Sequence, residues 1–175
     1  VKQYPEFKGK RLRGRVQGNK VVPYWTRSEI EAGRGVERAE VLAWVEDPIE
    51  LFFLQVQGSG RIELPSGELL RVGYADQNGY PYKSIGKWLI DKGELTAGQA
   101  TMQGIQAWAQ ANPARLTELL NSNPSYVFFR RLNNNQGGPL GALVQGLVSP
   151  EMGSWLRSGE YVFITILGGS AHAFG

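Results

Sequence analysis

The chain has 175 residues, 42% of them hydrophobic, enough to bury one core or two small ones. It contains no cysteine, which excludes disulfides, thiol nucleophiles and cysteine-ligated metal, and its single histidine, His172, stands in a Gly/Ala-rich tail. A net charge of +3 and a pI near 9.2 suit an anionic partner, and no apolar run is long enough to span a membrane. With 23 glycines and nine prolines, turns must be numerous, which favours β structure with a few helices.

Most of the positive excess lies in KGKRLRGRVQGNK, residues 8–20. Arg11, Arg13 and Arg15 alternate with smaller or apolar residues, which places them on one face of a strand. That strand reads as a solvated edge kept from aggregating by charge, or as one wall of an anion-binding groove. It lacks interleaved aromatics, and no helix-turn-helix or RNA-binding motif follows it, so no nucleic-acid partner is expected. Gly18-Asn19 predicts a hairpin back to Val21 and Val22, ended by Pro23.

Thr26-Arg27-Ser28-Glu29 has the pattern of a capping box and opens a short helix stopping at Gly33. Glu40 to Val45 alternates as a strand. Asp47-Pro48 is an N-cap followed by proline, so Pro48 to about Gln55 should be helical, with Ile49, Phe52, Phe53 and Val56 largely on one side. Gly58-Ser59-Gly60 interrupts the apolar run. Arg61 to Leu64 and Leu70, Val72 and Tyr74 then pair as a hairpin around Pro65-Ser66-Gly67.

A polar and aromatic loop, Asp76 to Tyr82, leads to a helix from Ser84 to Asp91, ended by Gly93. Helical patterns continue from Thr96 to Asn112 and from Ala114 to Leu120, giving a flank of short helices. Ser125 to Leu132 is the strongest strand pattern. A flexible connection over Asn133 to Gly138 leads to a loop-rich stretch reaching Gly159, and Tyr161 to Leu167 closes the chain as a strand. The expected fold is α+β, mainly antiparallel and barrel-like, with the helices on one side.

Amides, hydroxyls and aromatic rings concentrate between these elements. Amides and hydroxyls can bond sugar hydroxyls, and aromatic faces cover the C–H faces of the rings. Gln57 stands out, because a polar amide between an apolar run and a Gly-Ser-Gly break needs a partner. Three blocks in this order and spacing, LFFLQVQGSGRIEL, VGYADQNGYPYKSIGKWLIDKGEL and NPSYVFFR, resemble the central part of murein lytic transglycosylases of the MltA type. The resemblance runs from about Tyr24 to Gly141.

That resemblance implies cleavage of the β-1,4 bond between N-acetylmuramic acid and N-acetylglucosamine. One carboxylic acid protonates the leaving oxygen; as a carboxylate it then takes the proton of the muramic C6 hydroxyl, which closes a 1,6-anhydro ring. The nucleophile is tethered within the substrate, so effective molarity replaces the second carboxylate of ordinary glycosidases. No metal or other cofactor is implied. In the family the acid is an aspartate in a DxGGAIKG-like block, which this sequence lacks, and the catalytic residue is therefore left unassigned. The only aspartates are Asp47, Asp76 and Asp91, and at Asp76 the family usually has glycine.

The resemblance implies a glycan groove with Gln57, Gly58, Ser59 and Gly60 as one wall and Tyr74, Asn78, Tyr82 and Ser84 as another. Each has a simpler alternative: Tyr74 as an ordinary strand residue, Ser84 as an N-cap, Asn78-Gly79 as turn chemistry. Residues 1–142 read as the substrate-groove domain, and residues 143–175 as a remnant of a second, double-psi barrel-like domain. The implied partner is peptidoglycan and the implied location the bacterial cell envelope, with any outer-membrane anchor upstream of Val1. Oligomeric state is not readable. The alternatives are a non-catalytic peptidoglycan- or partner-binding module and nucleic-acid binding through the basic strand.

Overall fold

Two residues, Gly18 and Asn19, turn the basic run back on itself. In a computed structural model that describes residues 13–37 and 39–133, with the backbone of 142–148 and 162–167, this gives β1 (Arg15–Gln17) and β2 (Lys20–Val22). Gly18 supplies the positive φ of 59° that the turn needs. Among the described residues the hairpin pairs with no other strand, and it leaves Val16 and Val21, opposite one another, largely exposed. Strands of three residues hold poorly alone; Arg13 and Arg15 tie this hairpin down. Arg13 Nε meets Asp76 Oδ1 at 2.9 Å, and the Arg15 guanidinium stacks 3.8 Å from the centre of the Trp25 ring. Arg11, the 134–138 connection and His172 lie outside the described residues.

The capping box forms as expected over α1 (Arg27–Glu31), with Thr26 and Glu29 bonding one another's backbone N–H groups. β3 spans Ala39–Val45. In α2 (Pro48–Gln57), Asp47 Oδ1 accepts from Ile49 N and Glu50 N at 2.8 and 3.3 Å, while Oδ2 accepts from Gln106 Nε2 at 2.7 Å. The helix runs two residues past the predicted end, because its stop is Gly58 in the left-handed region at φ 76°.

β4 (Ser59–Glu63) and β5 (Leu69–Gln77) form the predicted hairpin, and β6 covers Val127–Arg131. β8 is Val162–Leu167. β7 (Ala142–Val148) is a strand in the segment read as loop-rich. It lies parallel to β4, from Gly60↔Ala142 to Glu63↔Gln145, and antiparallel to β3. Both partners are distant in sequence, so no local signal fixes its state, and Gly146 weakens the strand pattern it does have. The strands close in the ring order β3-β7-β4-β5-β6-β8, with β8 returning to β3. Only the β4–β7 and β6–β8 pairs are parallel.

The flank consists of α3 (Ile85–Asp91), α4 (Met102–Ala111), a 3-10 turn at Pro113–Arg115 and α5 (Leu116–Asn121). α4 starts later than predicted: its cap is Thr101, which accepts from Gly104 N at 3.1 Å, and Thr96 instead bonds Gln99 in a preceding turn.

α2 joins the two halves. Leu51 and Leu54 enter the strand core with Val45, Ile62, Leu70, Val72 and Phe129. Ile49 and Phe52 enter the helical core with Ile85, Leu89, Ile105 and Leu119. The single apolar side expected for this helix is therefore two sides, and Val56, expected inside, is 47% exposed. Each fully buried Leu, Ile or Phe contributes about 1.5–3 kcal/mol, so both faces matter to stability.

Candidate functional site

The helix-to-strand junction after α2 places four of the sequence-predicted residues together. Gln57, the last helical residue, is exposed and makes no side-chain hydrogen bond among the described residues. Gly58 turns the chain, and Ser59 begins β4 opposite Gly73. Tyr74, next along β5, lies beside the turn: a Cβ on Gly58 would sit 3.7 Å from Tyr74 Cβ. The Tyr74 ring is 40% exposed, although alternation from Leu70 and Val72 would turn it inward. Tyr74 still pairs with Phe129, and the register shifts only after it, between Tyr74 and Asp76.

Below Tyr74 sits Asp76, buried, whose Oδ1 accepts from Arg13 Nε (2.9 Å), Gln77 N (2.8 Å) and the Tyr74 hydroxyl (3.4 Å). The bond to Asp76 is the main reason that the Arg13 pKa rises above its ordinary value. Arg13 also lines an open cleft of about 490 Å³ between the hairpin and the loop after β5, with Val21, Val22, Tyr24, Gly79 and Tyr80. Neither contact of Arg13 was visible from the sequence, since Asp76 is 63 residues away.

The remaining predicted residues are placed differently. Gly60 is buried between Val72 and Ala142, inside the ring wall. Asn78 is an internal brace, 2% exposed: its Nδ2 donates to Trp25 O (2.9 Å) and Pro124 O (2.8 Å), and its Oδ1 accepts from Tyr126 N (2.9 Å). A side chain with these bonds holds three chain segments and has little left for a ligand. Ser84 is exposed and caps α3, accepting from Lys87 N at 3.1 Å. Tyr82 is 52% exposed, its ring centre 6.4 Å from that of Phe52 in α2. Phe52 precedes Gln57 by five residues, about 7.5 Å along the helix axis.

The buried amide that the sequence did not single out is Gln55. It accepts from Arg27 Nη2 at 2.6 Å and donates to Val127 O at 3.3 Å. Arg27 itself is 4% exposed, bonded also to Ser125 O and Glu31, with Phe52 and Tyr126 against its guanidinium. Burial is the largest influence on it and lowers its pKa. In the sequence Arg27 is one polar residue in a helix cap, and its burial depends on a partner 98 residues away.

All three aspartates have structural partners: Asp47 caps α2, Asp76 holds Arg13, and Asp91 pairs with Lys87 at 2.8 Å. Among the described residues, no helix is long and apolar enough to cross a membrane.

A strand ring joined through one two-faced helix to a helical flank is the fold shared with crystal structures of lytic murein transglycosylases. MltA from Neisseria gonorrhoeae superposes with a TM-score of 0.64 at 52% identity, covering 68% of this chain and 31% of that one. MltA from Escherichia coli with bound chitohexaose superposes at 0.58 and 36% identity, covering 71% of this chain and 41% of that one. Residues 1–130 match the family model described as the MltA specific insert domain. The chain belongs to the MltA family. The membrane-bound lytic murein transglycosylase A of Escherichia coli K12 is 38% identical over 130 residues, 73% of this chain and 33% of that protein. The chain thus spans about a third of the length of the curated relatives it matches.

Proposed function

We propose that this chain is the glycan-groove part of a peptidoglycan lytic transglycosylase and does not cut glycan alone. The observation that carries the reading is the chitohexaose bound to the 36%-identical Escherichia coli MltA. Chitohexaose has the β-1,4-linked amino-sugar backbone of peptidoglycan without its lactyl groups and peptides. On this chain the surface suited to such a backbone is Gln57, Gly58, Ser59 and Tyr74. The Gln57 amide is exposed and unengaged among the described residues, Ser59 supplies a hydroxyl, and Tyr74 is 40% exposed with its hydroxyl on Asp76. Tyr82 extends the aromatic surface toward α3.

The reaction needs one carboxylic acid. It donates its proton to O4 of the departing N-acetylglucosamine as the C1–O4 bond breaks. The muramic C6 oxygen bonds C1, and the C6 hydroxyl proton passes to the carboxylate, restoring the acid. With Asp47, Asp76 and Asp91 all committed to structure, that acid comes from residues beyond these aspartates. Residues 1–142 then form the groove domain, to which the C-terminal segment adds strands. The bacterial envelope is the location this reading requires, and the relatives are named as membrane-bound.

The test is incubation of the chain with purified insoluble peptidoglycan, scoring both retention and released products by mass spectrometry. Retention that falls with Gln57→Ala, without 1,6-anhydromuramic products, is the expected outcome. Anhydro products would overturn the claim that the acid lies elsewhere. Absence of retention would remove the glycan-binding reading.

A further inference from the structure

The open cleft between the β1–β2 hairpin and the loop after β5 takes no part in holding sugars in the reading above. Val21, Val22 and Pro23 line it in succession. Side chains of adjacent strand residues point to opposite faces, so a cleft touching all three borders the edge of β2 rather than one face of it. From the loop, Gly79 and Tyr80 line it, and Arg13 lines it from the start of the hairpin. Loop and hairpin meet closely there. A Cβ on Gly79 would stand 2.9 Å from Arg13 Cβ, and φ at Gly79 is +86°, so this approach needs glycine.

The cleft offers a ligand a narrow choice of polar groups. The Tyr24 hydroxyl donates to Gly35 O at 2.8 Å, and the buried Asn78 amide bonds Trp25 O, Pro124 O and Tyr126 N. The hydroxyl and amide that a sugar would use are thus engaged by the fold. Two other groups remain. In a hairpin closed by a two-residue turn, the pair beside the turn, Gln17–Lys20, exchanges hydrogen bonds and the next pair, Val16–Val21, does not. The N–H and C=O of Val21 therefore point away from β1, and among the described residues neither has a backbone partner there. The second group is the Arg13 guanidinium, whose side chain is 25% exposed. Its Nε is taken by Asp76 and its Nη2 reaches the Tyr74 hydroxyl at 3.4 Å, which leaves Nη1 without an acceptor among the described residues.

These groups are spaced for an extended chain. Continuing the register from Arg15↔Val22 sets Arg13 about three residues along from Val21, or about 10 Å. A strand edge, apolar walls and a guanidinium at that distance match a peptide of about three residues with small side chains and a free carboxylate. The cleft volume of about 490 Å³ is that of a ligand site.

We propose that this cleft is a peptide subsite that receives the stem peptide of a peptidoglycan strand, its backbone pairing with Val21 and a carboxylate meeting Arg13. Stem peptides are rich in alanine and carry free carboxylates, which suits both the apolar walls and the guanidinium. The inference rests on the glycan-groove reading and deepens it. The two surfaces adjoin through Arg13, because its Nη2 lies on the hydroxyl of Tyr74, and a Cβ on Gly58 would stand 3.7 Å from Tyr74 Cβ. Asp76 already offsets the charge of Arg13, so its role is to direct the carboxylate, and the salt dependence of binding should be shallow.

The test compares soluble glycan strands that carry stem peptides with the same strands stripped of peptides by an amidase. The parent chain should bind the peptide-bearing strands more tightly. Val21→Pro removes the outward N–H and leaves the bonds to β1 in place, so it should weaken peptide-bearing strands about three- to tenfold and stripped strands not at all. In the parent, exchange of the Val21 amide proton should slow when peptide-bearing strands are added and not when stripped strands are. Arg13→Lys keeps a cation for Asp76 and removes the fork, and should also weaken the peptide-bearing ligand. Equal affinity of the parent for both ligands would overturn the inference while leaving the groove reading standing. Equal losses on both ligands in Val21→Pro, or an unslowed Val21 amide, would overturn it too. If the parent chain binds neither ligand, the groove reading fails and the peptide subsite fails with it.

Discussion

Replacing Asn78 separates a brace from a binding group. Asn78→Ala removes three side-chain hydrogen bonds, to Trp25 O, Pro124 O and Tyr126 N. Their costs differ. Pro124 O keeps a bond from Arg27 N at 3.0 Å, so its loss is small. Trp25 O loses the Asn78 donor and Tyr126 N loses the Asn78 acceptor at a site only 2% exposed. At about 1–3 kcal/mol for each of the two buried groups deprived of its partner, the expected destabilisation is about 2–6 kcal/mol. Urea unfolding followed by tryptophan fluorescence measures it, because Trp25 is held by this brace. Asn78→Asp should be worse than Asn78→Ala, since it keeps the acceptor for Tyr126 N but aims carboxylate oxygen at two carbonyls. A stability change below about 0.5 kcal/mol together with lost peptidoglycan retention would refute the brace and restore Asn78 as a ligand-binding residue.

Asp47→Ala removes the α2 cap and the bond to Gln106, and should cost about 2–3 kcal/mol in the same unfolding assay. Gln57→Ala should change stability by no more than about 0.5 kcal/mol while weakening peptidoglycan retention, because the side chain is exposed; a large stability loss would show a structural role instead. Gly35→Ala should destabilise by about 2–4 kcal/mol and shift tryptophan emission, since φ is +71° there and a Cβ would meet Trp25 Cδ1 at 2.3 Å. Glu94 is held below its ordinary pKa by bonds first from Arg115 and then from Trp108. Its folded pKa is thus lower than its unfolded one, so its contribution is present above the unfolded value and is lost as pH falls through the folded one. Urea midpoints measured from neutral pH into the acid range should fall less steeply for Glu94→Gln; equal slopes would refute that linkage.

Elements with local chemistry were legible. The Thr26–Glu29 capping box, the Asp47-Pro48 start, the Pro65-Ser66-Gly67 turn and the Gly93 stop each depend on residues within a few positions, and each appears in the structure. The family resemblance was legible too, because three blocks carry it across most of the chain. The candidate site was legible only in part. Gln57, Gly58 and Ser59 follow one another at the α2–β4 junction and Gly58 lies against Tyr74, but the brace role of Asn78 depends on Trp25, Pro124 and Tyr126, between 46 and 53 residues away.

What the sequence determined by itself was therefore the starts of α1, α2 and α3 and the glycine-closed turns, since caps and left-handed glycines act over one turn of chain; the start of α4 and the last turn of α2 it did not. It also determined the kinship of the chain. Tertiary structure alone decided which way each face points. α2 carries apolar residues on two sides, and only the meeting of the strand ring with the helical flank buries both. β7 becomes a strand because β3 and β4 offer open edges on either side of it. Arg27 is buried and Arg61 is set against Arg71 for the same reason: long-range packing and strand register settle partners that neighbouring residues cannot.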